Sequence, residues 1–404
     1  MRKIKQYAPQ LIFLCMTSTL CMTYFVSNVV AFQFVVYFLI FILFILSKKT
    51  ALQHPIALSK KLFVAFAIFY IIRVFVELEL LGHKQELYAN NSTVYYFLIT
   101  GMLLPAFFVP RIISVRKSYN LFFIILAIII CVSLLISLHN IFSGNIIFTG
   151  DHRIQGNERL GVIQYGHLGL TGSIIGYICL RIKTDYKIKA IKVFSIALII
   201  IGFVTMLMAG TRGALISAIV IVAIYLLAHA KISSFIILAI VSVVLFLSLD
   251  FIESVFDSLG AASVTRIMHF FSEGGDQSSG RTDIWIHALQ EIIESPIVGV
   301  SCFWNSNGDE ITYVHNSFIE VTYALGIFGL FIFTKLNWVA IKGCIASFKS
   351  SDMNDIAFSF LYLQYFTYTL FSESVIRVPL YWYFLLMMLN IRNRQLQIKK
   401  QIKI

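Results

Sequence analysis

Charge is what this sequence has least of. Asp, Glu, Lys and Arg make up 13% of its 404 residues, where a soluble chain carries about 25%. With 59% hydrophobic residues beside that shortage, a soluble set of two or three domains is excluded and an integral membrane protein is expected. Cysteine is sparse and scattered. The six (Cys15, Cys21, Cys131, Cys179, Cys302, Cys344) lie mostly inside apolar runs, with no CxxC pair and no Cys/His metal spacing. Neither a disulfide framework nor a zinc site is indicated. No small-residue cleavage site follows Arg2, Lys3, Lys5 and their apolar run, so that run reads as an uncleaved first span. There is no internal repeat of the transporter kind and no low-complexity segment.

What is abundant is apolar sequence in runs of bilayer length, roughly 17–25 residues each. They fall at 11–28, 30–47, 62–81, 94–110, 119–138, 162–180, 193–209, 214–230, 233–249, 317–334, 356–372 and 378–391. The expected fold is all-α, with about 12 transmembrane helices. Nine occupy 1–249, a large loop domain on the outer side occupies 250–316, and three more occupy 317–404 with a basic cytoplasmic tail. An even number of spans puts both termini on one side. With that side in the cytoplasm, 24 of the 32 Lys and Arg lie there, joined only by Asp185, Asp352 and Asp355. This obeys the positive-inside rule. The net charge of +12 is then an orientation signal and needs no nucleic acid to explain it.

The outer side keeps eight basic residues: Arg73, Lys84, Arg153, Arg159, Arg212, Arg266, Arg281 and Arg377. Seven of the eight are Arg, whereas the cytoplasmic set is 18 Lys and 6 Arg. Orientation does not require that contrast. A planar guanidinium fork matches phosphate bidentately, so an outer surface that grips an anion is one reading, and chance or salt bridging with the outer acidic residues is the other.

Three stretches carry candidate chemistry. In "AGTRGALIS", 209–217, Gly210 and Gly213 allow a tight turn that leaves Arg212 at the membrane mouth. A charge there is a functional candidate, or an Arg snorkelling to headgroups. In "SSGRTDIWIHALQEIIESP", 278–296, Ile284, Trp285, Ala288, Leu289, Ile292 and Ile293 recur at helical spacing, giving an amphipathic helix ended by Pro296. Ser279 or Thr282 can cap it, which puts Arg281 at an anion-favouring N-terminus. In "VHNSFIEVTYALGIFG", 314–329, His315 and Asn316 open a span, with Glu320 one turn further on. An imidazole with pKa about 6.5 can act as general base or acid, or it can simply be interfacial. Glu320 could orient it or cap a polar pocket, and Gly326 and Gly329 read as sites of close helix packing.

His-Asn, nine residues, then Gly-x-x-Gly resembles the pattern of the O-antigen ligase and O-antigen polymerase family. The likeness extends to the "TRG" turn at Arg212 and to "GRTDIWIHALQEIIESPIVGV", 280–300, and covers about 160–335. The resemblance implies a GT-C-like membrane glycosyltransferase of lipopolysaccharide or other surface-polysaccharide biosynthesis. It would be metal-independent and without a cofactor, in the bacterial inner membrane, with its active site on the periplasmic face. The donor would be a glycan on undecaprenyl diphosphate. Family residues correspond to Arg212, Arg281 and His315. The two arginines would hold the diphosphate, and His315 would take the acceptor's proton. Arg266 and Arg377 are secondary diphosphate candidates, with Arg153, Arg159 and Glu320 behind them. Asn316, Glu320, Gly326 and Gly329 would support the site.

Three functions stay open on the sequence. A polymerase moves the glycan onto another lipid-linked repeat unit, with a chain-length regulator protein as a further partner. A ligase moves it onto lipid A–core. A flippase or secondary transporter would show charges near the bilayer midplane and paired broken helices, and the expected span interiors hold Arg73 and little else of that description. The polymerase is the favoured reading.

Overall fold

The computed structural model describes residues 2–19, 21–25, 29–46, 58–82, 91–105, 119–144, 147–148, 154–157, 160–182, 188–229, 281–303, 313–350 and 352–402. Helix covers most of them: α1 (Arg2–Thr17), α2 (Val29–Leu46), α3 (Leu58–Phe75), α4 (Asn91–Phe97), α5 (Asn120–Phe142), α6 (Val162–Arg181), α7 (Ile188–Met208), α8 (Arg212–His229), α9 (Arg281–Glu294), α10 (Ser317–Phe348), α11 (Met353–Phe371) and α12 (Pro379–Ile402). Helix occurs at each expected span except 233–249, which lies outside the described residues. Among the described residues, Asn120–Phe142, Lys189–Met208, Arg212–His229 and Ser317–Phe348 are long and apolar enough to cross a membrane. Most of the 250–316 loop lies outside the described residues, 281–303 and 313–316 being the parts that fall within them.

The described residues fit the all-α expectation, with one short pair beside the helices: β1 (Ile147–Phe148) and β2 (Ile154–Gln155) run antiparallel, Ile147 opposite Gln155. One departure stands out. α10 does not end near 334: it runs on to Phe348, taking in the stretch expected as a cytoplasmic segment. The cause is legible afterwards. Leu336, Ala340, Cys344 and Phe348 are buried at four-residue spacing, one helical stripe, and the lysines between them stay on the other faces, with Lys342 over the Trp338 ring at 4.7 Å.

The chain folds into two compact units, each assembled from three stretches. One comprises Met1–Ser47, Val115–Gly274 and Ser347–Gln364; the other comprises Lys48–Ser114, Gly275–Ala346 and Tyr365–Ile404. In the first, Phe13 of α1 meets Tyr119, Phe123 and Phe358 edge-on. Gln364 donates to the His167 carbonyl and to the Thr171 hydroxyl, each at 2.8 Å. The core of the second unit is aromatic, with Phe66, Phe333, Tyr381 and Trp382 in mutual contact. The polar edges of that core are paired: Trp382 Nε1 donates to the Val375 carbonyl and the Tyr381 hydroxyl to Asn337 Oδ1.

The second unit turns on a break in α10. Gly326 sits at φ 61, ψ −159, outside helical geometry. In an unbroken helix the Ile327 N–H would bond to the Tyr323 carbonyl four residues back. Here Ile327 N–H donates to the Pro296 carbonyl at 2.9 Å, and the Tyr323 carbonyl accepts from Val300 N–H at 2.6 Å and Ser301 N–H at 3.2 Å. The segment after α9 is thus inserted into the helix, and both halves of the missing rung are satisfied, as buried backbone requires. Gly299, at φ 81, comes close enough that a Cβ would strike Tyr323 and Ala324; a Cβ on Gly326 would strike the Ile297 carbonyl. Gly326 therefore accommodates a strand of loop, not a neighbouring helix. For Gly329 the atoms nearest an added Cβ are those of Leu325, one turn back in its own helix.

A second fixture holds the same loop. Val76–Leu80 continues α3 in wider turns, a rare form that collects at functional places. It aims Glu77, 1% exposed, at the inserted segment. Glu77 pairs with Arg73 Nε at 2.5 Å. Its carboxylate accepts from the Ser301 hydroxyl at 2.7 Å and from the Cys302 N–H at 2.9 and 3.0 Å, while Arg73 donates to the Val300 carbonyl.

Replacing Gly326 by Ala is expected to cost about 1–3 kcal/mol in backbone strain and to expel the inserted loop. In detergent the melting temperature should fall and proteolysis within 295–301 should accelerate. An unchanged melt and cleavage pattern would refute the insertion.

Candidate functional site

His315 takes φ 54, the only positive φ at a residue other than glycine among those described. Such a conformation is uncommon and held against a cost. The holding groups lie on both sides. Trp285 Nε1, on α9, donates to the carbonyl of Val314 at 2.8 Å. Asn316 Oδ1 accepts from the N–H groups of Phe318 and Ile319 at 3.0 and 3.3 Å, an N-cap on α10. Asn316 thus serves the backbone. His315 is the residue left to bend between these two anchors.

Around the imidazole stand groups from four parts of the second unit. Tyr313 places its ring 4.3 Å from that of His315, centroid to centroid. Arg281, the first residue of α9, donates to the Phe371 carbonyl at the C-terminal end of α11, where a cation is favoured. Arg377 lies over the rings of Phe97 and Tyr313 at 5.2 and 5.5 Å, within cation–π range. It also pairs with Glu373 at 3.4 Å. Both arginines act on His315 through their charge, and the imidazole also meets the backbone of Ser372. His315 Nδ1 is buried with no hydrogen-bond partner among the described residues. A buried group left this way costs about 1–3 kcal/mol, an exception that calls for an explanation.

Burial first, then the positive charge of Arg281 and, less, of Arg377 push the imidazole pKa down to about 4, against a smaller upward pull from the Ser372 backbone. At neutral pH the ring is therefore uncharged and able to accept a proton, although two guanidinium groups stand beside it. Glu373 moves the other way: burial raises its carboxyl above the usual range, opposed by Arg377, the Ser374 N–H and the Tyr313 hydroxyl.

Glu320 is fully enclosed. Its Oε1 accepts from the Ser374 hydroxyl at 2.5 Å and its Oε2 from the Val375 N–H at 3.0 Å. Among the described residues those are its bonds, and the imidazole is not one of its partners. Glu320 grips the turn between α11 and α12, and that turn carries Glu373 and Arg377. Of the residues singled out by sequence, the fold gathers His315, Asn316, Glu320, Arg281 and Arg377 in one unit. Arg212 belongs to the other unit, where it is half-buried as the first residue of α8, after the buried Thr211. Gly210 forms the turn before it, and Gly213 is already helical. Arg266, Arg153 and Arg159 lie outside the described residues.

Sequence reasoning missed Tyr313, Glu373 and Glu77. A signal existed for one of them: Glu373 precedes Arg377 by four residues in a short segment between two apolar helices. Arg73, the charge that the sequence sets inside a span, is explained by Glu77, four residues on, and the loop that both hold.

Residues 197–334, about a third of the chain, match the family model described as O-antigen ligase. The matched range contains Arg212, Arg281 and His315, whereas Glu373 and Arg377 lie beyond it. No curated protein matches the chain.

The displaced imidazole can be titrated directly. Since its folded pKa of about 4 lies below the unfolded value near 6.5, the unfolded chain binds the proton first as pH falls. Its contribution to stability is complete above pH 6.5 and declines down to about 4. Nuclear magnetic resonance of labelled histidine should place the His315 midpoint near 4. Arg281→Gln removes a cation that opposes protonation, so the midpoint should rise towards 6.5. A midpoint already near 6.5 in the unaltered protein would contradict the site's electrostatics.

Proposed function

We propose, on the premise that residues 197–334 make this multi-pass membrane protein a member of the O-antigen ligase and polymerase family, that it is a surface-polysaccharide polymerase. It transfers a glycan from undecaprenyl diphosphate to a hydroxyl of another lipid-linked repeat unit. The observation that carries the reading is a neutral His315, held at a costly backbone angle and acted on by the charges of Arg281 and Arg377. Few sites need an uncharged base immediately beside fixed positive charge. One that deprotonates an alcohol while a diphosphate departs does.

In this mechanism the acceptor oxygen attacks the anomeric carbon as its proton passes to His315. The bond from that carbon to the diphosphate oxygen breaks on the opposite face, and the electron pair leaves with the lipid diphosphate. A single displacement inverts the anomeric centre. Arg281 and Arg377 stabilise the charge that develops, a preorganised field that needs no metal ion. Arg212, in the other unit, is a diphosphate candidate on the family likeness alone, and Arg266 is a secondary candidate from the sequence. Asn316 and Glu320 support the site by fixing the helix end and the 374–375 turn. The charge asymmetry of the loops supports cytoplasmic termini in a bacterial inner membrane, with His315 on the periplasmic side.

The description of the matched family favours a second reading, ligation of the finished glycan to lipid A–core. The donor half of the reaction is the same, so the acceptor decides. A deletion strain separates them. Loss of a polymerase leaves lipopolysaccharide with a single repeat unit, whereas loss of a ligase leaves bare core while lipid-linked polymer accumulates. Complementation with His315→Ala should reproduce the deletion phenotype. The purified variant should lose on the order of 10²–10⁴ in turnover, the usual worth of a general base, with its melting temperature kept. Normal polymer from the His315→Ala strain would sink the catalytic assignment under both readings.

A further inference from the structure

The helix α9 has three faces, and only two have been accounted for. Ile284, Ala288 and Ile292 point inward and pack with Val314 and Tyr323. Asp283, His287, Gln290 and Glu294 are exposed along a polar row. Between them runs a third row, Ile286, Leu289 and Ile293, spaced as one stripe of a helix. These side chains are aliphatic and exposed, Ile293 at 77%. The sequence pattern assigns Leu289 and Ile293 to the buried face together with Ala288 and Ile292. The structure divides them, because Trp285 is tied to the Val314 carbonyl and the roll of the helix is thereby fixed.

The third row continues beyond the helix. Ile297 and Val298 are exposed at 60% and 65%, on the segment inserted into α10. That insertion brings the Pro296 carbonyl onto the Ile327 N–H. Ile327, Phe328 and Phe331, the next exposed residues, are on the surface of a helix long and apolar enough to cross a membrane. The apolar row of α9 thus leads onto the exposed apolar surface of that helix. A helix with one face on protein, one apolar face open and one polar face matches a helix lying in the plane of the membrane interface.

We infer that α9 is an interfacial helix whose Ile286–Leu289–Ile293 row, extended by Ile297 and Val298, is immersed in the bilayer at the headgroup–acyl boundary, on the side that carries His315. The occupant of this surface is phospholipid. Helix rotation is locked by Trp285 and helix position by the backbone bonds at Gly326, so the depth of Arg281 and His315 relative to the headgroups is set by this row.

The test uses the full chain in phospholipid nanodiscs, one copy per disc. A fluorescent amino acid is introduced by nonsense suppression at position 293 or, as a control, at position 283. Both sites are exposed, and an unchanged melting temperature verifies the fold. Emission is compared in acyl-brominated and ordinary lipid, and separately with iodide in the buffer. A probe at 293 should be quenched several-fold by brominated lipid and spared by iodide, with the reverse at 283. Quenching at 293 by iodide alone would mean the row faces water and would overturn the inference. Protection from both quenchers would mean that protein covers it, and would overturn it equally. Neither result depends on which reaction the protein catalyses.

Discussion

One missing hydrogen bond inside α10 organises the second unit. At Gly326 the rung between Ile327 N–H and the Tyr323 carbonyl is open, and the segment after α9 supplies both partners. Because that segment is the immediate continuation of α9, the helix cannot shift without reopening the rung. Glu77, itself paired with Arg73, fastens the next residues, Ser301 and Cys302. Arg281 at one end of α9 and His315 at the start of α10 are therefore referenced to a single rigid joint. A joint of backbone bonds in apolar surroundings leaves little looseness at either residue.

The electrostatics follow from the same frame. Burial above all, and then the charges of Arg281 and Arg377, keep the imidazole neutral. The arginines are in turn occupied by carbonyl, carboxylate and aromatic partners: Phe371 for Arg281; Glu373, Phe97 and Tyr313 for Arg377. Glu320 contributes from below by clamping Ser374 and Val375, so the carboxylate that steadies Arg377 is itself on a steadied turn. The site is a nested set of restraints in which each charged group fixes the next.

Much of this was legible in the sequence, for reasons that can be named. Long apolar runs announce helices because a bilayer leaves the backbone no other way to pair its polar groups. His315, Arg281 and Arg377 stood out as chemistry placed where apolar residues would suffice. The end of α10 did not stand out, since lysines on its outer faces disguise a buried stripe at Leu336, Ala340, Cys344 and Phe348. Glu77 and Tyr313 were invisible because groups they meet, Ser301 and Cys302 for the one and Arg377 for the other, are far away in the chain, whereas Glu373 left a local signal in Arg377, four residues on. The meaning of Gly326 was half legible: its spacing from His315 flagged it, but only its φ reveals that a loop enters there instead of a helix passing by.

The joint at Gly326 also bears on how such a protein can change over generations. Its bonds run between main-chain atoms, Pro296 to Ile327 and Tyr323 to Val300 and Ser301. Main-chain atoms are the same whatever side chains they carry, so most residues along the contact are free to drift without loosening it. Drift is barred where a side chain would occupy the space the main chain needs, at Gly299 and Gly326. Side chains along the α9 loop could be rewritten while the joint and the placing of His315 stayed intact, leaving as the durable trace a histidine and a glycine eleven positions apart.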